Sequence, residues 1–182
     1  MSGDGKMTFP AVGFAHFDRQ AGFTLIEVVV FVAMLAILMS VAVPSFVSTI
    51  ASNRTSSYAN DFVSSLNYAR GEAVARRAAV TVCTSADGTN CRANNDADKG
   101  NWQKGWIVTV PADNVILLVG SAFAAQVALS GTASISFDAS GALSASGVQS
   151  FNLVNQACTN NGNRRIDVNP TGRVSINSVN CS

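Results

Sequence analysis

The residues able to do chemistry in this chain are few and unevenly placed. The only histidine, His16, lies near the N-terminus, and the carboxylates are scattered without a defensible pair. Acid–base schemes and base-activated nucleophiles therefore lack partners, and no catalytic residue is expected. Four cysteines are present: Cys83, Cys91, Cys158 and Cys181. No Cys-x2-Cys pair occurs among them, so a zinc site is disfavoured, and neither metal nor cofactor is expected. The segment Asn94–Gly100 holds Asp96 and Asp98. It makes a poor calcium loop, because Lys99 stands where glycine should be and Gly105 where a bidentate glutamate should be. That leaves an acid in an apolar setting, Glu27, and three arginines near the C-terminus, Arg164, Arg165 and Arg173.

The elements that must position these groups follow from composition and periodicity. The chain has 182 residues, is 48% hydrophobic and 13% charged, and carries a net charge of +1. Near-neutrality excludes a nucleic-acid binder driven by bulk charge. Between Arg19 and Arg54 the only charged residue is Glu27, and Val28–Val43 is an unbroken apolar run apart from Ser40. With its flanks this run reaches the roughly 20 apolar residues that span a bilayer. A cleaved secretory signal is the rival explanation. The length of the run, the absence of a small-x-small site at Pro44-Ser45-Phe46, and Glu27 inside it argue against that. A carboxylate in an apolar segment is costly and by default marks a function.

Helical spacing continues past Pro44. Tyr58, Phe62, Leu66, Ala69 and Ala73 form one apolar stripe, so a helix is expected from about Thr24 to Ala75, bent at Pro44. Seven strands follow: Val80–Cys83, Gly105–Val110, Val115–Val119, Ala133–Asp138, Val148–Val154, Arg164–Val168 and Arg173–Ile176. Pro111–Asn114 and Asn169-Pro170-Thr171-Gly172 supply hairpin turns. Trp102 and Trp106 flank Gly105 and suit anchors at a strand start. The expected fold is α+β, with two small antiparallel sheets and the helix laid across one of them.

Gly22-Phe23-Thr24-Leu25-Ile26-Glu27, the apolar run and Pro44 resemble the processing site and N-terminal helix of type IV prepilins and type II secretion pseudopilins. The resemblance implies that a prepilin peptidase cuts between Gly22 and Phe23 and methylates Phe23. Removing residues 1–22 leaves 160 residues and an unchanged net charge, since Lys6 and Arg19 leave with Asp4 and Asp18. It further implies that Glu27 acts as a registration device, its carboxylate compensated by the α-amino group of Phe23 on a neighbouring subunit. Buried charges persist only when paired. Tyr68–Ala73, Arg76-Arg77, Trp102–Trp106 and the closing Asn169–Val174 narrow the resemblance to the FimT/FimU/GspH minor pilins. Gly71 departs from the serine usual there.

That resemblance implies a pilin fold: a leader (1–22), a transmembrane or filament-core half-helix (23–51) and a soluble head (52–182). It places the protein in a bacterial inner membrane with its head in the periplasm, and then in a pilus or pseudopilus beside other minor and major pilins. There it would prime assembly near the tip. Four cysteines in an oxidising compartment allow three pairings. Cys83–Cys91, a tight loop, and Cys158–Cys181, tying down the terminal hairpin, are favoured. Some FimT-type pilins take up DNA through a C-terminal Gly-Arg-x-Arg element. Here Gly172-Arg173-Val174-Ser175 keeps only the first arginine. Any DNA contact through Arg164, Arg165 and Arg173, helped by Asn160, Asn161, Asn163 and Asn177, is expected to be weak, non-specific and salt-sensitive.

Overall fold

A computed structural model describes residues 22–92, 100–158 and 161–181 of the chain. His16, most of the leader, Asp96, Asp98, Lys99 and Asn160 lie outside them.

The main element is a single helix of 52 residues, α1 (Leu25–Arg76). It passes through Pro44 without interruption. Compactness divides the chain after Ser40. In the first unit the helix is apolar on every side, and its side chains are exposed throughout Leu25–Ser40. It is long and apolar enough to cross a membrane. In the second unit, Val41–Ser182, the helix becomes amphipathic. Ala59, Phe62, Leu66, Ala69 and Ala73 are buried at three- and four-residue spacing.

The C-terminus of α1 closes in a Schellman arrangement. Ala78 N–H donates to Ala73 O at 3.2 Å and Arg77 N–H to Val74 O at 3.3 Å, with Arg77 in the left-handed region at φ 54°. The chain then forms eight strands: β1 (Val80–Thr84), β2 (Trp106–Val110), β3 (Val115–Gly120), β4 (Val127–Ser130), β5 (Ser134–Phe137), β6 (Gln149–Asn155), β7 (Asn163–Val168) and β8 (Val174–Val179). They make two four-stranded antiparallel sheets, ordered β3-β2-β1-β5 and β4-β6-β7-β8. The α+β pilin-type architecture expected from the sequence is present. Strand β4 and a one-turn helix at Trp102–Lys104 were not anticipated.

The expectation that the helix covers one sheet is corrected. The Phe62 ring lies at 5.4 Å from Trp106 of β2, 5.1 Å from Phe151 of β6 and 5.1 Å from Trp102, all edge to face. One helix side chain thus reaches both sheets, because the two inner faces meet along the stripe and form one core. Trp102 and Trp106 are buried anchors of that core, the first before β2 and the second opening it.

Both disulfides bridge cysteines near in sequence. Cys83–Cys91 closes a loop beside β1, and Cys158–Cys181 ties the chain after β8 to the chain after β6.

Candidate functional site

The chemistry-bearing residues fall in two separate places. The first is the start of α1. Gly22, Phe23 and Thr24 precede the helix in an irregular, exposed segment, with Phe23 82% exposed. Thr24 serves as N-cap, its Oγ1 accepting from Glu27 N–H at 3.3 Å. Thr-x-x-Glu is the spacing of a capping box, and an acid three residues past the cap also favours the positive helix end. Only the backbone of Glu27 is bonded to the cap, and Thr24 is the residue that sequence reasoning passed over. Its signal, Thr24-x-x-Glu27, was available in the sequence. The cap does not neutralise the carboxylate, and Phe23, Glu27, Val28 and Phe31 line an open apolar groove. An acid on such a surface becomes costly as soon as neighbours bury it.

The second place is the sheet β4-β6-β7-β8. Strand alternation separates the adjacent arginines. Arg164 lies on the face with Ile166 and Val168 and reaches back to the helix. Its Nη2 donates to Ser56 Oγ at 2.9 Å and its Nη1 to the carbonyls of Asn161 and Asn163. Arg165 lies on the outer face with Asp167. Its Nε meets Asp167 Oδ1 at 2.9 Å, and its Nη2 donates to Ser150 Oγ at 3.0 Å. Burial pushes the Asp167 carboxyl upward, but bonds from Ser150 and Arg165 outweigh that and hold it below the usual carboxylate range. Arg173 brackets the β7–β8 turn through its backbone. Its N–H donates to Asn169 Oδ1, and its carbonyl accepts from Asn169 N–H. The Arg173 side chain is exposed.

Arg164 turns away to the helix, whereas Arg165 and Arg173 line one hollow on the outer face together with Asp167. One is engaged with the helix, one is neutralised by Asp167, and only Arg173 of the three projects from the outer face without a described partner. Asn177 shares that face but donates to Asp167 at 3.3 Å. Asn163 is buried, its Oδ1 accepting from Asn155 N–H at 3.1 Å. Salt-dependent phosphate binding scales with the number of cations engaged, and this face offers few.

Buried and part-buried polar groups instead join the head to the helix. Asn155 Nδ2 donates to Ala51 O and Thr55 Oγ1 at 3.2 and 3.0 Å. Arg70 Nε donates to Gly141 O at 3.0 Å. Neither link carries a composition or spacing signal in the sequence.

Two family models match the chain. Type II transport protein GspH matches residues 58–172, and the prokaryotic N-terminal methylation motif matches residues 17–43. No curated protein sequence matches. Among solved structures, the type IV minor pilin FimU of Pseudomonas aeruginosa is similar in two crystal forms. The first has a TM-score of 0.51 at 20% identity, covering 74% of this chain and 95% of that one. The second has a TM-score of 0.50 at 20% identity, covering 74% and 99%. At this identity the likeness concerns the fold.

Proposed function

Because the chain belongs to the GspH family and carries the N-terminal methylation motif of pilins, we propose that it is a minor subunit of a type IV pilus, without enzymatic turnover. A prepilin peptidase cuts between Gly22 and Phe23 and methylates Phe23. The helix holds the protein in the inner membrane, with the head on the periplasmic side, until other minor and major pilins recruit it. It then primes assembly near the filament tip.

The observation that supports this reading is the first half of α1. It is exposed and apolar on all sides over Leu25–Ser40, and it opens on a capped but unneutralised Glu27. Such a surface must be covered by lipid or by other helices. Within a helix bundle the Glu27 carboxylate needs a cation, and the α-amino group of Phe23 on a neighbour supplies one. Glu27→Val removes the charge that would select the neighbour and leaves the helix apolar. Filaments counted by electron microscopy, with twitching as a second readout, should be lost while leader cleavage continues. Normal filaments with this variant would sink the reading.

The family model's description favours a second reading, a minor pseudopilin of type II secretion. The two differ in the neighbours they need. Deletion of the gene should abolish twitching in the first case and release of secreted enzymes in the second.

A further inference from the structure

Where the uncharged stretch of α1 ends, a cation stands beside an apolar groove. Between Glu27 and Arg54 no charged residue occurs. Arg54 is exposed, and among the described residues none bonds its side chain. Arg70, Arg164 and Arg165 show the contrast, since each donates a hydrogen bond to a named partner.

The groove has a volume of about 210 Å³. The helix lines it with Val47, Ile50 and Arg54, the approach to β4 with Ala124 and Val127, and the chain past β6 with Ala157. Val47 and Ile50 are 54% and 52% exposed although apolar. Asn155 also borders the groove, but its amide is already engaged. Its Nδ2 donates to Ala51 O and Thr55 Oγ1, and its Oδ1 accepts from Ala157 N–H. No acid lines the groove, so Arg54 is the one charge among its lining residues. The stem of an arginine lies along apolar surface while its guanidinium stays at the wet rim.

A bilayer takes up about 20 to 25 helical residues, so a span beginning at Leu25 runs out close to Val47 and Ile50. On the membrane reading of α1, on which this inference rests, those two side chains meet the end of the hydrocarbon and Arg54 meets the headgroup layer. A phosphate there accepts from a guanidinium in a two-pronged geometry. A soluble anion would gain from Arg54 but nothing from Val47 and Ile50. We propose that this groove seats one anionic phospholipid. Arg54 binds the headgroup phosphate, and the first part of an acyl chain lies along Val47 and Ile50. A zwitterionic lipid fits less well, because its own cation would sit beside Arg54 with no acid in the lining to receive it.

The test uses the full chain in nanodiscs of equimolar phosphatidylglycerol and phosphatidylcholine, with the lipids it retains on release counted by native mass spectrometry. The chain should keep phosphatidylglycerol in about fivefold excess, the preference one cation near a membrane surface confers. Arg54→Gln should remove that excess. Ala157→Leu, at an exposed wall position, fills the groove and should reduce it with the charge intact. Circular dichroism should be unchanged in both variants. Equal retention of the two lipids overturns the proposal. So does an excess lost in Arg54→Gln but untouched in Ala157→Leu, because Arg54 then acts as a surface charge without the groove. A dimer that Ala157→Leu disperses also overturns it and gives the groove to a second copy. Flotation of the chain with vesicles tests the membrane reading separately. A chain that does not float removes both readings, whereas one that floats without lipid preference removes only this one.

Discussion

Gly71 sits inside α1 with nothing within 4 Å of where a Cβ would lie. Glycine in a helix interior is less favourable than alanine by about 1 kcal/mol. Gly71→Ala should therefore raise the thermal midpoint of the head, by several degrees on that estimate. Calorimetry on the pair of proteins checks this, and a lowered midpoint would show that the position has an unseen steric demand. Two carboxylates act in the opposite sense, as assets with a pH limit. Asp87 accepts from the backbone N–H groups of Thr89 and Asn90 and from the Asn90 side chain. These bonds hold its carboxyl far below the usual range. Asp138 is lowered by the Ser140 hydroxyl, then by the Ser140 backbone N–H. A depressed folded pKa contributes stability that is whole above the unfolded value, about 3.9, and drains as pH falls toward the folded one. Thermal midpoints should drop below about pH 4, and more steeply in the parent than in Asp87→Asn/Asp138→Asn. Parallel slopes would dismiss both groups. At this scale the sequence draws the eye to a residue that stands out from its background, as Glu27 does in its apolar run. Thr24 was missed because its capping role depends on where the helix begins.

At the scale of elements, the helix and seven strands could be read because hydrophobic period and turn residues agreed. Strand β4 could not. Val127–Ser130 is four residues in an alanine- and serine-rich stretch, and its place is fixed by pairing with β6. Sheet order was also hidden, because β1 pairs with β5 across a long sequence interval that no local pattern records. The same holds for the junction at Arg70. Its Nε donates to Gly141 O in the β5–β6 connection. Gly172, in the β7–β8 turn, lies so close that a Cβ would collide with the Gly141 carbonyl and the Arg70 guanidinium. Its φ of 78° adds a backbone demand that only glycine meets freely. The Asn-Pro-Thr-Gly turn was legible from its residues, but its docking onto the helix was not. Gly172→Ala should destabilise the head by about 2 kcal/mol or more, since strain and collision combine. Arg70→Ala loses one hydrogen bond, about 1 kcal/mol. In the double variant the glycine penalty should shrink, because part of the obstacle is gone. Urea titrations of the four proteins measure that coupling, and strict additivity would refute the junction.

For the whole molecule, a 48% hydrophobic content does not describe one core. Part of it lies on the exposed helix of Leu25–Ser40, and the head relies on an aromatic cluster with two disulfides. The disulfides do not have equal consequences. Cys83–Cys91 closes a local loop against strand β1, which is paired on both sides. Cys158–Cys181 holds the chain just beyond β8, an edge strand paired only with β7 and exposed from Ser175 to Val179. Little apolar burial secures β8, so the cross-link has a large share in keeping it in place. In the chain-entropy model a closed loop of this size contributes about 3 kcal/mol. Its loss should act first on the element with the least else to hold it. Cys158→Ser/Cys181→Ser should therefore lower the global midpoint and, before that, release the β8 amides. Hydrogen exchange followed residue by residue should show β8 losing protection ahead of β6, which is paired on both sides. Equal loss in β6 and β8 would mean that the head unfolds only as a unit and that its edge strand does not depend on the bridge.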